Sequence, residues 1–143
     1  MTENNVILVD KQDNAIGAME KMEAHIKAVL HRAISVFIVN SQGQWLLQQR
    51  TFDKYHSKGL WTNTCCSHPF PGETSLEAGN RRLMEEMGMK ADLREIFSFM
   101  YIQELENELT EHEFDHVFGG VSDALTQPHP EEVMDYKYVS FDA

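Results

Sequence analysis

The run from Thr74 to Gly88, TSLEAGNRRLMEEMG, is the segment whose conformation is least open to choice. Thr74 and Glu77 stand in the order of a capping box, in which a hydroxyl satisfies one orphan amide of a helix start and a carboxylate satisfies another. Gly88 supplies a left-handed stop at the far end. Between them Leu76, Gly79, Leu83 and Met87 recur every three or four residues, with Arg82, Glu85 and Glu86 to the side. Such a helix has one apolar stripe, and that stripe needs a partner surface.

The rest of the chain supplies strands. NVILVD reads as a first strand and KQDNAIG as the turn region after it. RAISVFIVN, rich in β-branched and aromatic residues, reads as a second strand, SQGQ as a turn and WLLQQR as the next strand. Residues Thr51 to Leu60 form a polar loop, and Trp61 to Cys66 an extended segment. EIFSFMYI, EHEFDHVFGGV and DYKYVSF close the series, with the polar loop TQPHPEE before the last. A helix amid many strands and long loops predicts an α/β (α+β) domain on a mixed sheet. A chain of 143 residues supports one core, so residues 1–143 are expected to form a single domain.

The net charge of -11 argues against a nucleic-acid partner, which needs a clustered basic surface. An acidic chain still binds a small anion where divalent cations and local Lys or Arg reverse the sign. No apolar run approaches the roughly eighteen residues of a membrane span. MTENNVILVD lacks the basic flank and apolar stretch of a signal peptide, so a cytoplasmic protein is expected.

Two stretches carry candidate chemistry. In NTCCSHPFPGE, Cys65 and Cys66 are adjacent. Neighbouring Cα atoms lie about 3.8 Å apart, short of the usual disulfide span of about 4.4–6.8 Å, so two thiols are expected. On a strand they face opposite ways, and the plainest reading is two small buried hydrophobes. In TEHEFDH, Glu111 and Glu113 share one strand face about 7 Å apart, close enough to converge on a cation. The spacing of His25 and His31 suits a loop leading into a strand better than one helix face. With His68 they offer three imidazoles beside two carboxylates, in no zinc-finger spacing.

SHPFPGETSLEAGNRRLMEEMG resembles the Nudix box. Glu73, Arg81, Leu83, Glu85, Glu86 and Gly88 match it; Ser67 stands where the pattern has Gly, and Arg82 where Nudix hydrolases have a metal-binding Glu. An arginine there suits a diphosphate oxygen, or simply forms an i, i+4 pair with Glu86. More broadly the chain resembles the type I isopentenyl-diphosphate isomerases. The matching pieces, in that family's order, are MEK with Lys21, AH with His25, LHRAIS with His31, QQR with Arg50, GLWTNTCCSHP, NRRLMEEMG, FMYI with Tyr101, EHEFDHVF and EEVMDY. His25 and His31 stand one residue closer together than in the bacterial relatives.

The resemblance implies a Nudix-like α/β/α sandwich with a mixed central sheet. It implies isomerisation of isopentenyl diphosphate to dimethylallyl diphosphate, in isoprenoid biosynthesis, by proton transfer on opposite faces. Cys66 and Glu113 would be the proton-transfer groups, interchangeable between directions, with Tyr101 assisting Glu113. His25, His31, His68, Glu111 and Glu113 would hold Mn2+ or Zn2+. Mg2+ would bridge the diphosphate to Glu86 and the backbone carbonyl of Cys66, while Lys21, Arg50, Lys54 and Arg82 bind the diphosphate. Trp61 is expected in the core, as most large aromatics are. The relatives continue into a helical segment whose tryptophan covers the hydrocarbon end of the substrate. This chain is expected to lack it, with Phe99, Tyr101 and Phe118 no obvious replacements, and to be a monomer or weak homodimer. The competing readings are a Nudix hydrolase of a diphosphate compound and a metal-binding domain without turnover.

Overall fold

A computed structural model describes residues 5–51 and 59–140, and its described strands form one nine-stranded mixed sheet. The strands are β1 (Asn5–Val9), β2 (Ala15–Glu20), β3 (His31–Val39), β4 (Gln44–Arg50), β5 (Trp61–Thr62), β6 (Cys65–Ser67), β7 (Arg94–Glu104), β8 (Thr110–Val121) and β9 (Val133–Ser140). Two helices accompany them, α1 (Lys21–Lys27) and α2 (Ser75–Met87).

β3 is the hub. It runs parallel to β8 from His31 opposite Glu113 to Val39 opposite Val121. On its other side β6 pairs antiparallel, with Ser35 opposite Cys66 and Val36 opposite Cys65. Because strand side chains alternate, these registers sort the chemistry from the core. His31, Ser35, Cys66, Glu113 and Asp115 belong to one face, whereas Ile34, Val36, Ile38, Cys65 and Phe118 belong to the buried core cluster.

α2 covers the core face with Ala78, Leu83 and Met87. Its capping box and its left-handed Gly88, at φ 63°, form as the sequence predicts. Gly79 lets the helix sit close, since a Cβ there would lie 3.3 Å from Leu93 and 3.7 Å from Val36. Burying Leu83 and Met87 contributes about 1.5–3 kcal/mol each. Leu76 departs from the predicted stripe: it is 45% exposed, whereas Gly79, Leu83 and Met87 are buried.

Two other expectations need correction. Only the first part of KQDNAIG is a turn, closed by Asp10 Oδ1 accepting from the amides of Gln12 and Asn14, both at 2.9 Å. From Ala15 the chain is strand β2, a hairpin partner of β1. His25 lies not in a loop but in α1, which Glu20 caps by accepting from the amides of Met22 and Glu23. Ala28, left-handed at φ 55°, ends this helix and turns the chain into β3. α1 lies over the sheet face that carries Glu113, opposite α2, so one helix covers part of each face.

Candidate active site

α1 and β3 bring two histidines together by different routes. In His25, Nδ1 donates to the Lys21 carbonyl one turn back at 2.8 Å; in His31, Nδ1 donates to the Val29 carbonyl at 2.8 Å. Both bonds turn Nε2 inward, the arrangement by which a backbone acceptor fixes a metal-ligating imidazole. His68 follows directly after β6, and its ring lies 5.1 Å from that of His31 and 5.7 Å from that of His25.

Glu113 completes the group. One ligand atom from each of His25, His31, His68 and Glu113 falls within 4.8 Å of the others. Bonds of about 2.0–2.2 Å to one ion separate its donors by about 3–4.4 Å, so the set needs only a small contraction to take a divalent ion, and its N/O composition suits a borderline one. Glu111 lines the same cavity but stands outside this group. Burial, then the charge of Glu113, pushes its carboxyl up to about 7. Burial would raise Glu113 too, but its bonds with His31 and His68 outweigh that and hold it below the usual range.

The two oxygens of Glu113 face different partners. Oε2 lies 2.9 Å from His68 Nε2 and 3.2 Å from His31 Nε2, and Oε1 accepts from the Tyr101 hydroxyl at 2.5 Å. Tyr101 is opposite Glu113 in the β7–β8 register, which is why the two meet.

The cavity they line has a volume of about 440 Å³ and is bordered by Lys21, Arg50, Arg82, Cys66 and Asp115 as well. Lys54 lies outside the described residues. Arg82 is held by carboxylates: Nη1 donates to Glu85 at 2.9 Å, and Nη2 lies 3.2 Å from Glu86 and 3.5 Å from Glu132. The i, i+4 pair with Glu86 therefore forms, and the guanidinium still borders the cavity. Trp61 belongs to the wall of the site rather than the core: it is 38% exposed, borders the cavity and has Lys137 Nζ 4.3 Å from its ring centre. β5 is a two-residue strand at the end of the β2-β1-β3-β4-β5 path, so Trp61 sits at an edge rather than in the core.

The two cysteines part company here. Cys66 Sγ has Thr62 Oγ1 at 3.7 Å, Asn63 Nδ2 at 3.8 Å and Ser35 Oγ at 3.9 Å. Burial of the sulfur pushes its thiol up to about 12. Cys65 donates to Glu86 Oε2 at 3.1 Å, and Gln48 Nε2 donates to the other Glu86 oxygen at 3.1 Å. Glu86 is thus oriented from two sides, one of them a cysteine that the sequence presents only as a small hydrophobe.

The remaining acids of the α2 motif are occupied. Arg81 forks onto Glu73 at 2.8 and 3.0 Å and onto Glu85 at 2.9 Å, with its guanidinium carbon 3.8 Å from the Phe70 ring centre. Glu73 and Glu85 tie the Pro71–Gly72 loop to the helix, and Glu86 alone of the three borders the cavity.

Residues 29–143 match the family model described as NUDIX domain. The chain is 56% identical to the isopentenyl-diphosphate Delta-isomerase of Pectobacterium atrosepticum over 96% of this chain and 76% of that one. It is 52% identical to the enzyme of the same name from Serratia proteamaculans, over 93% and 74%. The chain belongs to the isopentenyl-diphosphate Delta-isomerases of the Nudix family. Solved structures share the fold at lower identity. The Deinococcus radiodurans protein DR0079 superposes with a TM-score of 0.76 at 22% identity, covering 95% of this chain and 83% of its own. A MutT protein from Methanosarcina mazei gives 0.67 at 22%, covering 79% and 78%. Within the family setting, Arg82 replaces a carboxylate where the hydrolase pattern has one, and the metal-fitting group is assembled on the opposite side of the sheet from α2.

Ser35 and Asp115 were not among the predicted site residues. Asp115 continues the alternation of Glu111 and Glu113 along β8, so strand parity alone could have named it. Ser35 meets the site only through the β3–β6 and β3–β8 pairings, which no local pattern reveals.

Proposed function

We propose that the chain converts isopentenyl diphosphate to dimethylallyl diphosphate in a metal-dependent reaction, with Cys66 and Glu113 as the proton-transfer groups. The observation that carries the reading is that an uncharged thiol and a tyrosine-bonded carboxylate border one cavity, beside a His/Glu group and three cationic side chains. Relatives at 56% and 52% identity bear the isomerase name.

Lys21, Arg50 and Arg82, which border the cavity, would hold the diphosphate, with Lys54 assigned to it by the family resemblance alone, and Glu86 would help to hold the Mg2+ that neutralises its charge. His25, His31, His68 and Glu113, with Glu111 in the same cavity, would hold Mn2+ or Zn2+, which would supply fixed positive charge beside the Glu113 carboxylate. Tyr101 holds the second Glu113 oxygen and so fixes where a proton sits. The protonated Cys66 thiol would give its proton to one carbon of the alkene, and the ionised Glu113 carboxylate would take one from the neighbouring carbon on the other face. The roles exchange in the reverse direction. An alkene is a very weak base, so the acid must be aimed and water kept out. The rings of Trp61, Phe99 and Tyr101 border the cavity and favour a developing cation over their faces.

No described helix is long and apolar enough to cross a membrane. We further propose a cytoplasmic protein, monomeric or weakly dimeric, acting on a small diphosphate and on no nucleic acid.

The test is incubation with isopentenyl diphosphate, Mg2+ and either Mn2+ or Zn2+ in D2O, followed by proton NMR, with Cys66→Ala as control. Deuterated dimethylallyl diphosphate, absent in the control, is the expected result. Unchanged substrate, or release of phosphate from a nucleoside diphosphate derivative in a parallel tube, would overturn the reading.

A further inference from the structure

We propose that Ser35 and Asp115 are positioning residues for Cys66: together they fix the direction of its thiol proton, and so which side of the sulfur faces the substrate. The geometry rests on three adjacent strands. Ser35, on the central β3, is directly opposite Cys66 on β6. On the other flank Asp115 sits on β8, opposite Ala33. Ser35 Oγ donates to Asp115 Oδ2 at 2.7 Å, and Cys66 Sγ lies 3.9 Å from Ser35 Oγ.

The order of donors follows from proton count. A serine hydroxyl has a single proton, and an ionised carboxylate can only accept. With that proton committed to Asp115, Ser35 presents only lone pairs to the sulfur. The Cys66 S–H is then the donor of the pair, and the chain runs from thiol to hydroxyl to carboxylate. On the far side Asn63 Nδ2 can only donate, so it meets a sulfur lone pair at 3.8 Å. The thiol is therefore held between the Ser35 acceptor and the Asn63 donor, with the Thr62 hydroxyl at 3.7 Å as a third neighbour of the sulfur.

Burial makes this arrangement costly without a use. Ser35 is 7% and Asp115 5% exposed, and Asp115 Oδ1 is buried with no hydrogen-bond partner among the described residues. A buried carboxylate with so few bonds destabilises a fold relative to an apolar residue of similar size. It lines the same cavity as the sulfur and reaches it through the Ser35 hydroxyl, where a fixed acceptor has chemical value. Neither Ser35 nor Asp115 is a catalytic residue in this account, since each acts through Cys66.

The inference rests on the isomerase reading for its kinetic readout only; a spectroscopic readout tests it separately. The infrared S–H stretch of Cys66 is identified as the band lost in Cys66→Ala. In Ser35→Ala this band should move to higher frequency as the acceptor is removed, and Ser35→Thr, which keeps a hydroxyl, should return it. Kinetically, Ser35→Ala should lower kcat by about 10–100-fold, the loss typical of removing a group that orients a functional side chain, with KM within about twofold of wild type. Asp115→Leu removes the acceptor without leaving a buried charge, so it should fold, and it should shift the band and lower kcat in the same sense. The double variant should be no worse than the worse single one, because the residues act as one unit. A band unmoved in Ser35→Ala, or full kcat in both single variants, would overturn the proposal. A band that moves in a protein whose wild type does not isomerise would uphold the positioning and sink the isomerase reading instead.

Discussion

Cys65 and Cys66 are adjacent in sequence, yet their sulfurs serve opposite sides of the sheet: Cys65 donates to Glu86 Oε2 at 3.1 Å on the α2 side, and Cys66 meets Ser35, Thr62 and Asn63 across the backbone. Alternation along β6 is the cause. The pair therefore splits into two separable phenotypes. Cys66→Ala should lower kcat by about 10²–10⁴-fold, the range of a lost acid–base group. Cys65→Val should leave Cys66 in place but weaken Mg2+ dependence by about 10–100-fold, as loss of a ligand's hydrogen-bond partner does. A magnesium titration of initial rates on both variants separates them, and equal effects would contradict the split.

Alkylation should follow pH in a distinctive way. In metal-free protein, burial raises the Cys66 thiol to about 12, so the thiolate fraction should climb through pH 9 and 10 without a plateau. Iodoacetamide rates at Cys66, read by peptide mass, would contradict this by levelling off near the ordinary cysteine value of about 8.5.

The same shifts set the sign of the alkaline stability limit. Burial raises both Cys65 and Cys66 above the ordinary thiol value of about 8.5. The unfolded chain then binds fewer protons than the native one once pH exceeds about 9, so stability is full below that point and falls as pH rises toward about 12. Urea midpoints for wild type and Cys66→Ala, compared between pH 8 and about 10.5, should converge as pH rises if this holds.

The His/Glu group should couple metal to folding. Three imidazoles and a carboxylate are gathered from α1, β3, the segment after β6, and β8, none of which is contiguous. An ion present at about 100 times its Kd should stabilise the fold by about 2.7 kcal/mol, and chelation should remove that increment. His31→Ala should abolish the Mn2+ or Zn2+ shift in melting temperature; a shift of undiminished size would show that the ion binds elsewhere.

The packing of α2 gives a control for stability without chemistry. Leu83 is fully buried in the core face, away from the cavity. Leu83→Ala should cost about 2–5 kcal/mol, measured by urea unfolding, with KM for the diphosphate substrate unchanged in the fraction that remains folded.

What the sequence determined by itself was local or periodic. The capping box and glycine stop fixed α2, alternating β-branched and aromatic runs marked β1, β3, β4 and β7 to β9, and motif order pointed to the family. It missed β2 and α1, since AIGAME has little β-branched character and a helix as short as Lys21–Lys27 gives a weak period. The His25 helix thus went unread, although its histidine was named. Tertiary structure decided the rest. It left Glu111 outside the group that gathers Glu113, moved Trp61 from core to cavity wall, gave Cys65 a hold on Glu86, and set Ser35 and Asp115 behind Cys66. Each of these depends on which strand lies beside β3 and in what register, and a one-residue slip would turn every such side chain to the other face. Sequence spacing carries the period of a strand but not the identity of its neighbour.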